Sequence, residues 1–474
     1  MGAAILNEQE ILKNLQSQNE WWRTGRINEA LAPSFRRSQF EQVKKAFLHE
    51  IRRFPVLSGA RRVGKSTILF QIIDELLRNG TQPERILFYT LDEFPNDGIS
   101  VREAVEVYQK YVYDRDDFYL FVDEAQNDKA WKNYVKKIYD LKPGVRAMIT
   151  GSASAEIERS SDDSGAGRFF TVKIPTMSFY EFCKLNGKTP DIEETKLFQI
   201  HNLSVREQAS IVNKLSGLSL ELVRYMKVGG FPEFARSSDY PYISRQIRDQ
   251  VVSKVLKQDI PRTFDIRDVD SLSNLFAYLC YNTSEAVNVE TISKTLQVDR
   301  ATCAHYIDIL EKANLIYISE QLNLGGKKPL KPRKKVHVSD YGIRCAVTRN
   351  LDVETNVIEY GAAIETIAYK HTRDYFDNLD ASAYRVGYSR NEKGQEIDIV
   401  IQEHAVDVQY VEAKQRNNPI IKDTDGIVVF GMADTPGYVI TKNMENFGIT
   451  ERKDTKLYRI PAIVYFYLAG KTLE

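Results

Sequence analysis

A glycine-rich segment near the N-terminal end of the sequence contains the first candidate reactive residues. The run GARRVGKST matches the pattern G-x-x-x-x-G-K-[ST]. In this pattern glycines let backbone N–H groups curl around phosphates, the lysine reaches the β and γ oxygens, and the hydroxyl contacts Mg²⁺. The pattern therefore predicts a site for a nucleoside triphosphate with Mg²⁺, formed by Gly59, Ala60, Arg61, Arg62, Val63, Gly64, Lys65, Ser66 and Thr67.

An acidic pair follows the apolar run Phe118–Val122 and could complete a hydrolytic site. We expect Asp123 to hold Mg²⁺ through water and Glu124 to orient or deprotonate the attacking water. Simple signalling GTPases usually lack the second acid, so Glu124 favours ATP as the nucleotide. Lys65 and Glu124 are thus the candidate catalytic residues of this site, and Ser66 and Asp123 are its candidate metal ligands.

A second set of reactive side chains lies in the run GQEIDIVIQEHAVDVQYVEAKQ. Strand alternation places Asp398 on one predicted strand, and Glu412 and Lys414 on one face of the next. A hairpin would bring Asp398 beside Glu412, which gives two carboxylates for a hard cation and an ammonium for a transition-state phosphate. The alternative is a solvated face on which Lys414 pairs across the strands.

Hydrophobic periodicity predicts the strands and helices that carry these residues. PVLS reads as a short strand before the glycine loop, and TILFQIIDELL reads as the helix after it. ILFYTLDE and VRAMIT read as further strands. Strands that alternate with helices predict an α/β fold with a mostly parallel sheet wrapped by helices.

Several runs in one order resemble a widespread bacterial and archaeal family of AAA+-like P-loop ATPases. They are SGARRVGKST, LFVDEAQNDKAWKNYVKKIYD, ITGSAS, GAGRFFTVKIPTMSFYEF and VGGFPEF, within a resemblance that extends from about Ile51 to Asn443. The resemblance implies a helical lid that contains Gly229–Phe234, as a hinge or as a fixed turn. It also implies a C-terminal domain of unknown function.

The same resemblance implies two further contacts to the nucleotide. In AAA+ ATPases a polar residue after the strand that corresponds to VRAMIT senses the γ-phosphate. Ser152 is the first candidate for this role, and Thr150 is the second. The alternative for Ser152 is an ordinary serine in a turn. Arg168 matches the family's Gly-Arg element, as an arginine finger or as a sensor in the same chain. Its alternative role is a structural salt bridge.

The C-terminal set resembles the core of the PD-(D/E)XK nuclease superfamily. Glu365 would lie on the first helix, followed by Asp398 and then Glu412-Ala413-Lys414. The resemblance implies a restriction-endonuclease-like α/β domain in which Glu365, Asp398, Glu412 and Lys414 are catalytic. Asp398 and Glu412 would then bind a second divalent metal. The superfamily's fold is often kept as a scaffold after activity is lost, so both alternatives stay open.

Between these regions, VNVETISKTLQVDRATCAHYIDILEKANLIYISEQL has the pattern of a winged helix-turn-helix. The first helix should end near Leu296, and Asp299 should cap the second. That second helix offers few residues for reading bases, so a structural or docking role is favoured over sequence-specific recognition. The basic run Gly325–Lys335 is either a patch for a phosphate backbone or a solvated linker.

Length and charge limit the whole-chain interpretation. The chain has 474 residues, with 65 Lys+Arg against 65 Asp+Glu, so nucleic acid would have to bind at local patches. Four cysteines without a Cys-x-x-Cys pair fit a reducing cytoplasm. No signal peptide or membrane span is expected. We predict five regions: a helical segment at 1–35, the ATPase core at 36–180, the lid at 181–268, the winged helix at 269–335 and the nuclease-like domain at 336–474.

These expectations combine into two hypotheses. The first is an Mg²⁺-dependent ATPase that gates phosphodiester hydrolysis on nucleic acid, with DNA as the expected substrate and prokaryotic defence as a plausible setting. The second is a nucleotide-dependent switch whose nuclease-like domain docks a protein or DNA without cutting it. Both leave room for a protein partner and a homo-oligomer, and neither involves a membrane.

Overall fold

The computed structural model describes residues 7–92, 98–151, 167–193, 195–323, 333–404, 406–414, 420–431, 435–453 and 455–473. The chain divides into two compact units. The first unit consists of Met1–Pro175 and Arg262–Asp265, and the second unit consists of Thr176–Pro261 and Ile266–Glu474.

A parallel sheet forms the centre of the first unit, with the strand order β2-β3-β4-β1-β5 among the described residues. Its strands are β1 Phe54–Ser58, β2 Ile86–Thr90, β3 Tyr119–Asp123, β4 Arg146–Gly151 and β5 Phe169–Lys173. Its helices are α1 Glu8–Gln18, α2 Trp21–Thr24, α3 Phe40–Leu48, α4 Lys65–Arg78, α5 Val101–Tyr111 and α6 Trp131–Leu141, with short 3-10 turns at Pro83–Arg85 and Ala125–Asn127.

Alternating side chains of this sheet fill two separate hydrophobic cores. Leu120 and Val122 of β3 pack into one core with the helices α1, α5 and α6, whereas Phe121 packs into the other with α3 and α4. A sheet buried on both faces needs nearly continuous apolar strands, which is what β1 and β2 provide. The predicted parallel sheet wrapped by helices is confirmed.

The second unit is built from helices around a mixed sheet. Its helices are α7 Phe179–Leu185, α8 Val205–Ser216, α9 Ser219–Val228, α10 Tyr240–Gln246, α11 Ile260–Phe264, α12 Val269–Tyr281, α13 Val289–Leu296, α14 Arg300–Lys312, α15 Tyr341–Thr348, α16 Val357–Asp380, α17 Gly426–Val429 and α18 Ala462–Lys471, although α11 from Arg262 onward belongs to the first unit. Leu197–Asn202 and Met444–Asn446 form 3-10 turns, and Ile247–Ser253 and Val255–Asp259 have π-helical hydrogen bonding. Within the described ranges, no helix combines the length and the hydrophobicity needed to cross a membrane.

Nine strands among the described residues form the mixed sheet, in the order β13-β14-β12-β11-β10-β9-β7-β8-β6. Neighbours β9, β10 and β11 are antiparallel, whereas β11, β12 and β14 are parallel. The strands are β6 Glu285–Val287, β7 Ile316–Gln321, β8 Lys334–Val338, β9 Tyr384–Arg390, β10 Glu396–Glu403, β11 Val406–Lys414, β12 Gly437–Thr441, β13 Gly448–Arg452 and β14 Thr455–Pro461.

The strands of the predicted winged-helix region belong to this same sheet. β7 pairs in parallel with β9, with Glu320 opposite Gly387. The glycine permits this approach, because a Cβ atom there would lie 2.3 Å from the Glu320 carbonyl oxygen. The predicted boundary between residues 335 and 336 falls inside β8, so the sheet is continuous where the sequence was divided. The five-region division stays a prediction.

The two helices of the predicted helix-turn-helix are present. α13 ends at Leu296, and the Asp299 carboxylate caps α14 by accepting hydrogen bonds of 2.9 Å from the N–H groups of Ala301 and Thr302. Most of the basic run Gly325–Lys335 lies outside the described residues. Its last member, Lys335, is buried on β8, at 3% exposure. That residue is therefore not part of a solvent-facing patch.

The glycine pair of VGGFPEF forms a fixed turn within the second unit. The Gly230 N–H donates to the Asp340 carboxylate at 2.9 Å, and the Gly230 carbonyl accepts from Met177 N–H at 2.7 Å. A Cβ atom on Gly230 would lie 2.4 Å from the Met177 carbonyl oxygen. Close backbone approach explains the glycine, and of the two predicted alternatives these contacts favour the fixed turn over a hinge.

Candidate functional site

The glycine loop after β1 has the backbone that a phosphate site requires. Gly64 has φ +97°, a left-handed conformation that favours glycine, and α4 begins at the next residue. Gly59 packs so closely that a Cβ atom would lie 2.1 Å from the Ile174 carbonyl oxygen. The N-terminus of α4 therefore points its free N–H groups into the loop, as phosphate binding needs.

Lys65 is buried within this loop. Its Nζ atom donates to the carbonyl oxygens of Gly59 and Ala60, both at 3.0 Å, and lies 3.9 Å from the Glu124 carboxylate. An ammonium next to the first turn of α4 adds positive charge where the helix dipole is already positive. The two together favour a polyanionic ligand.

Three hydrogen-bonding side chains meet at the carboxyl ends of β3 and β4. The Ser66 hydroxyl donates to the Asp123 carboxylate at 2.8 Å, and Thr150 donates to the same carboxylate. The Glu124 N–H in turn donates to the Thr150 hydroxyl at 3.0 Å. Burial, followed by the neighbouring Glu124 carboxylate, raises the pKa of Asp123 to about 6. Thr150, the second sensor candidate of the sequence, therefore positions both acids.

Glu124 is held by its backbone as well as by its side chain. Its φ is +53°, a left-handed conformation that non-glycine residues rarely adopt. The Gln126 side-chain amide donates to the Glu124 carboxylate. Strained backbone of this kind is concentrated at functional sites, and here it fixes the direction of the acid next to Asp123.

The residues of the glycine loop fit an ATP molecule with Mg²⁺. The loop amides and Lys65 would hold the phosphates, and Ser66 and Asp123 would hold the metal, whose charge would offset that of the phosphates. Glu124 is the group placed to orient water. Ala60 and Val63 bury their side chains in the core and would offer backbone groups only.

Other predicted residues differ in where they lie. Arg61 lies 3.8 Å from Asp92, Arg62 has φ +63°, and Thr67 is half-buried in the first turn of α4. Ser152 lies outside the described residues. Arg168 immediately precedes β5, and its carbonyl accepts from Phe54 N–H at the beginning of β1.

Arg168 therefore lies at the N-terminal ends of β1 and β5. The glycine loop lies at the other end of β1, because it follows the last residue of that strand. The Arg168 guanidinium donates to the Asp140 carboxylate at 2.8 Å. A sensor role in the same chain is not supported by this position, whereas the predicted salt bridge is present. Action on a neighbouring copy stays a prediction.

The C-terminal acids come together on β10 and β11. The register pairs Ile399 with Val411, which places Asp398 opposite Glu412 as the sequence predicts. One oxygen of Asp398 accepts from Ala413 N–H at 2.8 Å, and one oxygen of Glu412 accepts from Ile427 N–H at 3.2 Å. Backbone amides thus already bind both carboxylates.

Two lysines supply most of the positive charge of this cluster, and the Arg390 guanidinium lies 3.7 Å from the Glu396 carboxylate. Lys414 pairs with Glu412 and, at 3.1 Å, with Asp425. The sequence interpretation missed the second lysine, Lys335, which donates to Glu365 at 2.8 Å and to Glu396 at 2.6 Å. Glu365, Glu396, Asp398 and Glu412 are called the carboxylate cluster below. The only local signal for Lys335 is its alternation with Lys334 on β8.

Burial is the largest cause of the raised pKa values of Glu365, Asp398 and Glu412 in the carboxylate cluster. It raises the pKa of Glu365 to about 8 and that of Glu412 to about 7, and the charge of Asp398 adds to both shifts. The pKa of Asp398 is also raised, mainly by burial. For Lys335 the burial penalty is outweighed by Glu365, Asp398 and Glu396, and its pKa is raised.

The cluster as placed does not fit the second divalent metal that the sequence predicts. Each acid already faces an ammonium or a backbone amide of this chain. Among the residues that the structure describes, no group of three or more acidic, histidine or cysteine side chains is arranged to hold a metal ion.

Family comparisons divide the chain into three parts. Residues 52–183 match a family model described as AAA domain. Residues 219–354 match a domain of unknown function (DUF8612), and residues 360–463 match another (DUF4143). The first match covers the glycine loop, Asp123 at the end of β3 and Glu124 after it, so the chain contains an AAA-type P-loop ATPase domain.

The chain is also similar to curated proteins without a described function. An uncharacterized protein of Haemophilus influenzae is 27% identical over 296 residues, which cover 61% of this chain and 68% of the relative. An uncharacterized protein of Methanocaldococcus jannaschii is 25% identical over 337 residues, 69% of each chain. These relatives extend the likeness beyond the AAA domain and supply no activity.

Solved structures give a weaker likeness. AMPPCP-bound DnaA from Aquifex aeolicus is 16% identical, with a TM-score of 0.25, and the match covers 60% of this chain and 89% of that one. The Hsp104–ADP complex from S. cerevisiae is 15% identical, with a TM-score of 0.30, over 75% of this chain and 45% of that one. Scores this low add nothing to the family match.

Proposed function

We propose that this chain is an Mg²⁺-dependent ATPase that works as a nucleotide-dependent switch, with the second unit as a docking module for DNA. The observation that carries the ATPase part is the contact of Ser66, Asp123 and Thr150 beside the glycine loop. This contact supports Ser66 and Asp123 as the ligands of the metal and the adjacent Glu124 as the group that orients water.

Docking is favoured over cutting by the state of the carboxylate cluster. Lys335 and Lys414 already pair with its acids, and backbone amides bind Asp398 and Glu412. The support for nucleic acid is the pair α13 and α14, joined by a short turn and followed by β7, as in a winged helix-turn-helix. A docking role agrees with the few base-reading side chains of α14.

A second candidate function is ATP-gated cleavage of a phosphodiester. The observation that favours it is the register that places Asp398 opposite Glu412, with Lys414 two residues further along β11. Glu365 on α16 completes the set that the PD-(D/E)XK resemblance implies, since it lies with Asp398 around Lys335.

One assay separates these functions. Purified protein is incubated with linear and circular double-stranded DNA, single-stranded DNA and RNA, in Mg²⁺ or Mn²⁺, with and without ATP. The switch predicts ATP turnover that Lys65→Ala removes, DNA binding that changes with the nucleotide, and no cleavage. Cleavage that disappears in Asp398→Ala and in Lys414→Ala, with ATP turnover retained, would establish the second candidate instead.

A further inference from the structure

Lys335 is a buried cation shared by acids from two other elements. Its side chain is 4% exposed, and its Nζ atom bonds to Glu365 on α16 and to Glu396 on β10. The same atom lies 3.9 Å from the Asp398 carboxylate and 5.5 Å from the centre of the Tyr388 ring. A buried ammonium is stable only with such partners, and here they are provided by the helix α16 and the strand β10.

The neighbouring lysine shows that this placement is specific. Lys334 and Lys335 are adjacent on β8, so strand alternation directs them to opposite faces of the sheet. Lys334 is exposed, whereas Lys335 reaches the acids. The two residues therefore form a matched pair for experiments, with the same charge and the same strand but different surroundings.

Lys335 lies close to Asp398, one of the two acids predicted to bind the second metal, and bonds to Glu365, a catalytic candidate of the same set. Glu365 gives it a carboxylate oxygen, and Asp398 faces it with one oxygen while its other oxygen accepts from Ala413 N–H. A hard divalent cation needs several such oxygens at once. It would compete for them with the ammonium, and two cations so close together would repel each other.

We propose that Lys335 is the resident cation of the carboxylate cluster, where its ammonium holds Glu365, Glu396 and Asp398 together and excludes a divalent metal ion. The inference deepens the proposed docking function and rests on it. If Lys335 occupies the carboxylate cluster, these acids stabilise the second unit and do not take part in metal-dependent cleavage. Removing the ammonium should turn the same acids into a divalent-cation site.

Mn²⁺ binding to the full-length chain tests this inference directly. Asp123→Asn is introduced into every sample, so that the expected metal carboxylate of the ATP site does not contribute. Mn²⁺ is then titrated without nucleotide, and free Mn²⁺ is measured by electron paramagnetic resonance. The variants are Lys335→Met, which keeps an unbranched chain beside Tyr388, and Lys334→Met as the matched control. Each is also made with Asp398→Asn.

The expected result has two parts. The parent, which is the chain with Asp123→Asn alone, binds the same amount of Mn²⁺ with and without Asp398→Asn, because the Lys335 ammonium already occupies the carboxylate cluster. Lys335→Met binds one additional Mn²⁺ ion, with an affinity about tenfold or more above that of any Mn²⁺ binding by the parent. Adding Asp398→Asn to Lys335→Met removes this ion. Lys334→Met behaves like the parent.

Either of two results would overturn the inference. One is the loss of a bound Mn²⁺ ion when Asp398→Asn is added to the parent, which would show that the metal and Lys335 coexist. The other is a folded Lys335→Met variant that gains no Mn²⁺ ion. If Lys335→Met does not fold, the comparison of the parent with Asp398→Asn alone decides. ATP turnover and DNA binding of the wild-type chain are measured separately, so failure of the proposed switch is distinguishable from failure of this inference.

Discussion

At the scale of single residues, the ATP site depends on one hydroxyl that serves two acids. Thr150 donates to the Asp123 carboxylate and accepts from the Glu124 N–H. Asp123 is buried, so each hydrogen bond to its charged form matters more than it would in water. Thr150 therefore aligns Asp123, the expected metal ligand, with Glu124, the residue expected to orient water.

Replacing Thr150 by valine should slow ATP turnover more than it weakens ATP binding. We expect kcat to fall about 10- to 100-fold, the usual effect of losing a group that orients a metal ligand. Thr150→Ser keeps the hydroxyl and should retain most activity. Steady-state ATPase kinetics and binding of a fluorescent ATP analogue measure the two quantities. Equal losses in Thr150→Val and Thr150→Ser would contradict this role.

The residues of the ATP site were predictable because each of them belongs to a recognisable local pattern. The glycine loop, Lys65 and Ser66 form one run, and Asp123 ends a recognisable apolar strand. Lys335 was not predictable, because no local pattern marks it as a partner of Glu365 and Glu396, which are 30 and 61 residues away. In the sequence Lys335 is the last residue of a basic run. Only its position on β8 shows that its side chain is directed toward Glu365 and Glu396.

At the scale of elements, the edge strand β2 is covered by side chains from the N-terminal segment. The Asn19 amide donates to the Phe88 carbonyl at 2.8 Å and accepts from the Phe88 N–H at 2.7 Å. Trp21 and Trp22 donate to the Ile86 carbonyl. An uncovered edge strand would expose these groups to pairing with other chains, and the segment prevents this.

Asn19→Ala should therefore destabilise the first unit. It leaves the N–H and the carbonyl of Phe88 without their partner, and two such losses cost about 2–4 kcal/mol. Asn79→Ala, at an exposed position after α4, should change stability by no more than about 0.5 kcal/mol. Urea unfolding followed by circular dichroism compares the two variants. Equal stability in both would show that the cover contributes nothing.

The fixed turn at Gly230 gives a second prediction at this scale. Gly230→Ala would press a methyl group against the Met177 backbone and should destabilise the second unit by about 1–3 kcal/mol. Gly217 has φ −64°, and a Cβ atom there has nothing within 4 Å, so Gly217→Ala should be neutral or slightly stabilising. Thermal unfolding of both variants tests this, and a tolerated Gly230→Ala would restore the hinge interpretation.

Sequence patterns predicted single elements better than their pairing. The end of α13 at Leu296 and the cap at Asp299 were local signals and are confirmed. The pairing of β7 with β9 was not predicted, because parallel strands separated by α15 and α16 leave no periodic trace in the sequence. For that reason the sequence analysis assigned β7 and β8 to a separate, winged-helix region, whereas these strands extend the sheet that carries Asp398 and Glu412.

At the scale of the whole molecule, the ATP site and the carboxylate cluster belong to different compact units. Any control of one by the other must then appear as a change in the second unit when nucleotide binds to the first. A coupling of this kind usually amounts to about 1–3 kcal/mol. Such an energy is large enough to alter how often backbone amides of the second unit open to solvent.

Hydrogen exchange of the full-length chain measures that coupling. With a non-hydrolysable ATP analogue and Mg²⁺, amides around α4 and β3 should be protected by direct contact. If the switch operates, peptides from Thr176–Pro261 or Ile266–Glu474 should also change, by about fivefold or more in rate between the analogue and ADP. Lys65→Ala should remove both responses, because the phosphates lose their main cation. Protection confined to the first unit in every nucleotide state would leave an ATPase without control over its partner unit, and the proposed switch would be wrong.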